Sequence, residues 1–238
     1  MQNKEIIYLS VIALIWLLAS YLLFFLFDNN TMQWITKEDG IYETAGALFF
    51  LATSLLFFYL YYSDSERNRI FNLKTKKNIF LLLLGILFFI AVGEEISWGQ
   101  RLLGIDTPGV FNEANRQNEL NIHNLSFLHI KTETGELNIH TLFLLFWLFF
   151  CLIIPILNKT SSKISKILQK INLPIVPIWI GLLFVLNTLL ARLVIYSNLD
   201  NIHRSLSEIK ESNYALLFLI VAIFFVLDKR NKTRFEKK

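Results

Sequence analysis

Charge is scarce in this chain. Asp, Glu, Lys and Arg make up 18% of its 238 residues, while 54% are hydrophobic and 22 are Phe, a balance that excludes an ordinary soluble globular domain. Cysteine is nearly absent: Cys151 is the only one, so no internal disulfide can form, and one residue does not identify a redox compartment. No internal repeat is evident, which leaves inverted-repeat transporter architecture without support. The apolar–polar alternation of a membrane barrel is missing. So is a short-range metal motif such as HExxH. No small-residue cleavage site follows the first apolar run, which is too long for a signal-peptide core, so that run is expected to be retained.

What is present is hydrocarbon in lengths that match a bilayer. Six stretches, roughly 5–27, 41–62, 78–98, 138–157, 174–196 and 213–227, approach the ~20 residues that cross a core of about 30 Å. Helices are expected, because backbone in lipid must satisfy its own hydrogen bonds. The sequence therefore predicts an all-α, six-span bundle forming a single transmembrane domain over residues 1–238, with a long structured outer loop at 104–137.

The charges that do occur are sorted by loop. The N-terminus, the second and fourth loops and the C-terminal tail together hold 16 Lys and Arg against five acids; the remainder holds seven against 14. The positive-inside rule predicts that both termini are cytoplasmic and that loops one, three and five face outward. The basic face is expected to meet anionic lipid. No recognised nucleic-acid module accompanies it, so no nucleic-acid partner is expected.

The outward side carries the chemistry-bearing residues. Span three runs from LLLLGILFF into GEEISWGQR, and carboxylates at the end of a membrane-length run are costly unless paired or functional. On a continuous helix Glu94, Ser97, Trp98 and Arg101 project within about 100° of one another, with Glu95 about 100° from Glu94. Two readings stay open: a Glu94–Arg101 pair that fastens the bundle, or Glu94 or Glu95 acting as general base or metal ligand. Trp98 suits an interfacial belt. Glu38 and Asp39 are expected to favour the start of span two through its dipole, and Glu43 to face the bundle in a structural role.

Three of the four histidines sit in one tripeptide, Asn-Ile-His, at His123, His140 and His203; the fourth is His129. Asn is a preferred N-cap, so each tripeptide can open a helix with its imidazole at the second position, where the dipole favours the neutral, metal-binding form. His123, His140 and His203 are thus candidate ligands for one divalent, zinc-like cation, joined by Glu94 or Glu95. The alternative is capped helices whose histidines never meet. Arg192, with Thr188 one turn earlier, either snorkels or pairs with an acid or an anionic headgroup.

A loop of about 34 residues at 104–137 is expected to contain structure. Asn112, Asn115, Asn118, Asn121 and Asn124 recur every third residue, either as a polar helical stripe or as successive caps, and Val110, Phe111, Leu120, Ile122, Leu125, Phe127 and Leu128 suggest folding back onto the membrane surface. Leu199, Ile202, Leu206 and Ile209 predict a separate short interfacial helix, with Arg204 and Glu208 paired on its wet side.

KEDGIYETAGALFFL, AVGEEISWGQRLLGIDTPG and NRQNELNIHNL together resemble an uncharacterised family of bacterial polytopic membrane proteins carrying a GEEISWGQR-type block. The resemblance covers roughly 37–125 and implies a bacterial inner-membrane protein, with no activity attached. CAAX-processing intramembrane proteases also use a glutamate pair, but in the spacing EExxxR; that position here is Gly99, and the arginine is Arg101. Alkaline ceramidase-like hydrolases are similar only in placing histidines and acids at one membrane face.

The leading expectation is a metal-assisted hydrolase or transferase acting on a lipid or lipid-linked substrate. Glu94 or Glu95 would activate water, and Arg101 or Arg192 would orient an anionic headgroup. The alternatives are a transporter or channel using buried carboxylates, and a non-catalytic partner protein docking through the outer loop. Mid-span positions are almost uniformly apolar, Asn187 being an exception, which disfavours a conduction path.

Overall fold

The computed structural model describes residues 2–37, 39–63, 69–70, 73–74, 77–109, 115, 120–122, 125, 130–132, 135–137, 139–197 and 202–236. The described chain is dominated by helices: α1 (Gln2–Leu26), α2 (Asn29–Ile35), α3 (Ile41–Ser63), α4 (Ile79–Glu95), α5 (Gln100–Leu103) and α6 (Ile139–Trp147). A π turn over Leu148–Ile153 carries α6 into α7 (Ile154–Thr160), followed by α8 (Ser162–Lys170), α9 (Ile178–Tyr196) and α10 (His203–Glu236). Two minimal antiparallel hairpins, Arg69–Ile70 with Leu73–Lys74 and Ile130–Thr132 with Gly135–Leu137, complete it.

Five segments are long and apolar enough to cross a membrane: Lys4–Leu26, Ile41–Ser63, Thr141–Thr160, Ile178–Tyr196 and His203–Asn231. Their outer faces are hydrocarbon. On α1, Ile7, Val11, Ile15, Leu18, Leu22 and Phe25 are exposed, while Ala13, Leu17, Tyr21 and Phe24 are buried.

The expected third span, 78–98, is corrected at its end. Asn78 caps α4 by accepting the Phe80 amide, but the helix closes after 17 residues at Glu95. Ser97 and Trp98 then adopt φ of 46° and 53°, followed by Gly99 at 79°. The continuous-helix projection of Glu94, Ser97, Trp98 and Arg101 therefore does not hold. The last span is corrected too. No separate interfacial helix precedes it: α10 runs unbroken for 34 residues from His203. Its first turns bury Leu206 and Ile209, together with Ile202 just before it, against Tyr21, Phe24, Met32, Tyr42, Ala191 and Val194.

The bundle centres on Phe218 of α10. Its ring lies 4.7 Å from Phe88 of α4, 5.6 and 5.7 Å from Phe143 and Phe146 of α6, and 4.8 Å from Phe184 of α9. Between apolar helices in lipid, sequestering hydrocarbon gains little, and close packing with interhelical hydrogen bonds supplies cohesion. Both are present. The Ser54 hydroxyl donates to the Gly85 carbonyl at 2.8 Å, and a side chain at Gly85 would meet the Phe58 ring at 2.8 Å. At Gly181 the Cys151 carbonyl packs against the glycine itself. Pro155 has no N–H to return to that carbonyl four residues earlier, which accounts for the π turn between α6 and α7.

A buried polar network joins α1, α9 and α10. The Trp16 indole donates to Asn213 Oδ1 at 2.9 Å, and Asn213 Nδ2 donates to the Ser20 hydroxyl at 2.9 Å and to Asn187 Oδ1 at 3.2 Å. The Tyr21 hydroxyl reaches Asn187 Oδ1 at 2.7 Å, and Asn187 Nδ2 reaches the Lys210 carbonyl at 3.2 Å.

Truncating Phe218 to Ala is expected to cost about 3 kcal/mol or more by removing contacts to three other helices. Thermal unfolding in detergent checks this, and a melting temperature equal to wild type contradicts the hub assignment. Asp28 gives a pH test. Its carboxylate accepts the Thr31 amide at 2.8 Å at the start of α2, which holds it below the usual carboxylate range. The cap is complete above the ordinary carboxylate pKa and is lost as pH falls through the depressed folded value. Protection of the 29–35 amides, taken relative to the intrinsic exchange rate at each pH, should therefore fall in acid, and Asp28→Asn should remove that change in protection.

Candidate functional site

The break after α4 builds the site. Left-handed backbone costs an L-residue roughly 1–2 kcal/mol, so Ser97 and Trp98 hold it only because their surroundings impose it. The Ile96 amide closes on the Val92 carbonyl at 3.1 Å, and the Gly99 amide closes on the Ile96 carbonyl at 2.9 Å. The turn folds the Trp98 ring back onto Gly93, where an added Cβ would meet it at 2.8 Å. The same fold lets the indole donate to Glu94 Oε1 at 2.8 Å.

The second oxygen of Glu94 accepts the Ile122 amide at 2.7 Å, from 28 residues further along the chain. Gln100, which is buried, acts in parallel: its Oε1 accepts the Leu120 amide at 2.7 Å and its amide reaches the Thr107 hydroxyl. Asn115 Nδ2 donates to the carbonyl and the side chain of Asn121, both at 2.8 Å, beside an antiparallel bridge between Asn115 and Leu125. At its described positions the asparagine series ties a turn; it does not line a helix. GEEISWGQ thus clasps Thr107, Leu120 and Ile122 onto the end of α4, and Glu94 is one jaw of that clasp.

Glu95 points elsewhere. It is half-buried and lies within electrostatic reach of Glu211, Glu208, Glu43 and Glu94. These carboxylates come from α10, α3 and α4. Glu208, expected on the wet side of its helix, is half-buried on α10. Glu43 also accepts the Asp39 amide at 2.8 Å, closing the entry turn of α3, where Asp39 has φ of 55°. Gly46 leaves a gap beside them: a Cβ there would lie 3.8 Å from Ser212 Cβ and 3.9 Å from Glu95 Oε2. Ser212 is 2% exposed, and its hydroxyl has no hydrogen-bond partner among the described residues.

Glu94, Glu95 and Glu211 close one end of a cavity of about 410 Å³ whose other walls are Phe50, Leu87, Phe88, Ile90, Ala91, Ile122, Leu142, Phe143 and Phe146. Leu87, Ile90 and Leu142 are themselves exposed, so the cavity opens sideways between α4 and α6. Ile122, held by Glu94, forms part of its roof. Hydrocarbon walls with carboxylates at one end suit an amphiphile.

Among the described residues no group of three His, Cys, Asp or Glu side chains is placed to hold an ion. His123, together with the side chains of His140 and Arg101, lies outside the described residues, as do His129 and Glu38. His203 is exposed and is the first residue of α10, not the second. His140 is the second residue of α6, as expected. Arg192 is exposed on α9, away from the cavity wall, while Thr188 bonds the Tyr214 hydroxyl at 2.8 Å. Sequence reasoning missed Gln100, Glu211 and Ser212. Comparison with protein-family models, with curated proteins and with solved structures gives no match.

Glu94→Gln leaves one acceptor oxygen where two amide and indole donors converge, so one charge-assisted bond is lost, worth about 1.5–3 kcal/mol. Proteolysis within 104–137 should accelerate, and Gly93→Ala should do the same by displacing Trp98. Unchanged cleavage in both variants would contradict the clasp.

Proposed function

We propose that this chain is a six-span bacterial inner-membrane protein with both termini cytoplasmic. It binds a lipid or lipid-linked substrate in the α4–α6 cleft and acts on it as a hydrolase or transferase at the outer face. The observation that carries this reading is the laterally open apolar cavity ending in Glu94, Glu95 and Glu211. The sixth span is α4, which has the same two-faced pattern as the longer helices: Leu81, Leu84, Gly85 and Phe88 are buried, and Leu83, Ile86, Phe89 and Ile90 exposed. At 17 residues it measures about 25 Å, short for a core of about 30 Å. Its end therefore lies at the depth where a headgroup meets hydrocarbon. Charge sorting sends that end outward.

The reaction assigned to the site is ester cleavage. Glu95 accepts a proton from water as the water oxygen bonds to the ester carbonyl carbon or phosphorus. The proton passes to the departing alkoxide as its bond to that centre breaks. In transfer, an acceptor alcohol replaces water. Glu94 is a positioning residue here, because both its oxygens are engaged by the Trp98 indole and the Ile122 amide. A cation held by His123, His140 and His203 would assist by polarising the ester.

The test is reconstitution into vesicles of bacterial polar lipid, with released headgroup or fatty acid followed by mass spectrometry. Wild type should release product, and Glu95→Gln should lower the rate about 100-fold or more. No product from wild type overturns the enzymatic assignment. Metal analysis after purification without chelators addresses the histidines separately, and less than stoichiometric metal removes them from the mechanism.

A further inference from the structure

We infer that α8 lies in the membrane surface, with Lys163, Lys166 and Lys170 holding the phosphates of anionic phospholipids. This surface is separate from the carboxylate end of the cleft and independent of the reaction assigned there. Three observations lead to it.

The first is how the helix is closed. Ser161 breaks the chain after α7 in an extended conformation, and its hydroxyl accepts the Ile164 amide at 3.4 Å. At the other end Asn172 turns left-handed with φ of 53°. There the Leu173 amide closes on the Leu168 carbonyl and the Asn172 amide on the Gln169 carbonyl, both at 3.0 Å. That pair of bonds is a Schellman stop. Nine residues closed at both ends make a helix of about 14 Å between two spans, too short to cross a core of about 30 Å.

The second is the order of side chains around it. At 100° per residue Lys163, Lys166 and Lys170 fall within about 60° of one another. Ile167 comes next, about 40° beyond Lys163, followed by Ile171, Ile164 and Leu168, while Ser162, Ser165 and Gln169 take the other side. Leu168 is buried and Ile164 and Ile171 are half-buried, so the far edge of the apolar stripe packs on the protein. Ile167, at the seam between that stripe and the lysines, is 51% exposed. Exposed hydrocarbon bordered by lysines is the arrangement of an interfacial helix, whose long basic side chains reach from the apolar boundary to the headgroups.

The third is charge. No Asp or Glu occurs between Glu136 and Asp200, and Lys159, Lys163, Lys166 and Lys170 are all exposed. Among the described residues none of the four meets a carboxylate. Each lysine near an anionic membrane strengthens the attraction by about fivefold. Charge alone would suit an acidic protein equally. The exposed Ile167 selects a surface with hydrocarbon beneath its charge.

α8 also connects to the cleft. Asn78, which caps α4, donates from Nδ2 to the Asn172 carbonyl at 2.9 Å. Leu173 then lines, with Phe80 and Leu84 of α4, a second apolar cavity of about 450 Å³ that shares Leu87, Leu142 and Phe146 with the first. The depth of α8 in the surface thereby sets the depth at which α4 begins.

The experiment places the full-length protein in phosphatidylcholine vesicles containing phosphatidylglycerol, with one nitroxide at Ile167→Cys or at Gln169→Cys. Cys151 is fully buried and stays in place. Oxygen, which concentrates in hydrocarbon, should relax the label at 167 more than a water-soluble nickel chelate does, and the order should reverse at 169. Stronger relaxation of both labels by the chelate puts the stripe in water, as for docking an acidic protein, and overturns the membrane assignment. Headgroup choice is read by native mass spectrometry with equal amounts of phosphatidylglycerol and phosphatidylcholine of identical acyl chains. Wild type should retain phosphatidylglycerol about tenfold over phosphatidylcholine. Lys163→Gln, Lys166→Gln and Lys170→Gln combined should cut that ratio about fivefold or more, whereas Arg at the same three positions should preserve it. A ratio near one in wild type, or one unchanged by the three Gln substitutions, overturns the anionic-lipid assignment.

Discussion

How α4 ends governs the polar end of the molecule. A helix that continued past Glu95 would carry Trp98 and Arg101 onward along its axis and aim Glu94 at nothing fixed. The helix breaks instead through Ser97, Trp98 and Gly99, all with positive φ, and turns the indole back onto Gly93. That return engages one oxygen of Glu94 and leaves the other to accept the Ile122 amide. The left-handed turn is unfavourable by itself. It is held by an acceptor that the turn itself brings into position, and the same acceptor closes the cavity roof. Strain, clasp and roof are consequences of one carboxylate.

The adjacent glutamates thereby divide their work. Successive residues on a helix point about 100° apart, so a clasp at one position leaves the next free to face a different neighbour. Glu94 faces the 104–137 segment, and Glu95 faces α3 and α10 across Gly46. Two carboxylates in sequence are thus not redundant. One makes the compartment and the other equips it.

The sequence carried the location of this site more clearly than its geometry. Hydropathy alone separated the apolar runs, and the unusual placement of Glu94 and Glu95 at the end of one of them was visible without coordinates. The break at Ser97–Trp98 was not, because no proline marks it and Gly99 falls only after the two residues under strain. The approach of Glu208 and Glu211 was hidden for a different reason. The residues ahead of Asn213 read as a separate interfacial helix, whereas burial of Leu206 and Ile209 against α1 and α3 makes them the first turns of α10 itself. Tertiary packing, not local propensity, decides that continuity. The histidine tripeptides show the limit of pattern: shared wording placed His140 at the second position of a helix and His203 at the first.

On the proposed reading, the polar groups inside the bundle favour ligand binding over conduction. Asn187 and Asn213 are fully buried, yet their side chains are engaged by Trp16, Ser20, Tyr21 and the Lys210 carbonyl. A network whose donors and acceptors satisfy one another locks α1, α9 and α10 together and offers no open relay to an ion. The carboxylates lie on the other side of α10, against a cleft whose walls below them are Phe and Leu down to Phe80 and Leu173. An ion entering at Glu95 would meet hydrocarbon, whereas a hydrocarbon chain entering between α4 and α6 would meet walls like itself and reach the carboxylates with its polar end. On that reading the arrangement favours entry from within the membrane over a path across it.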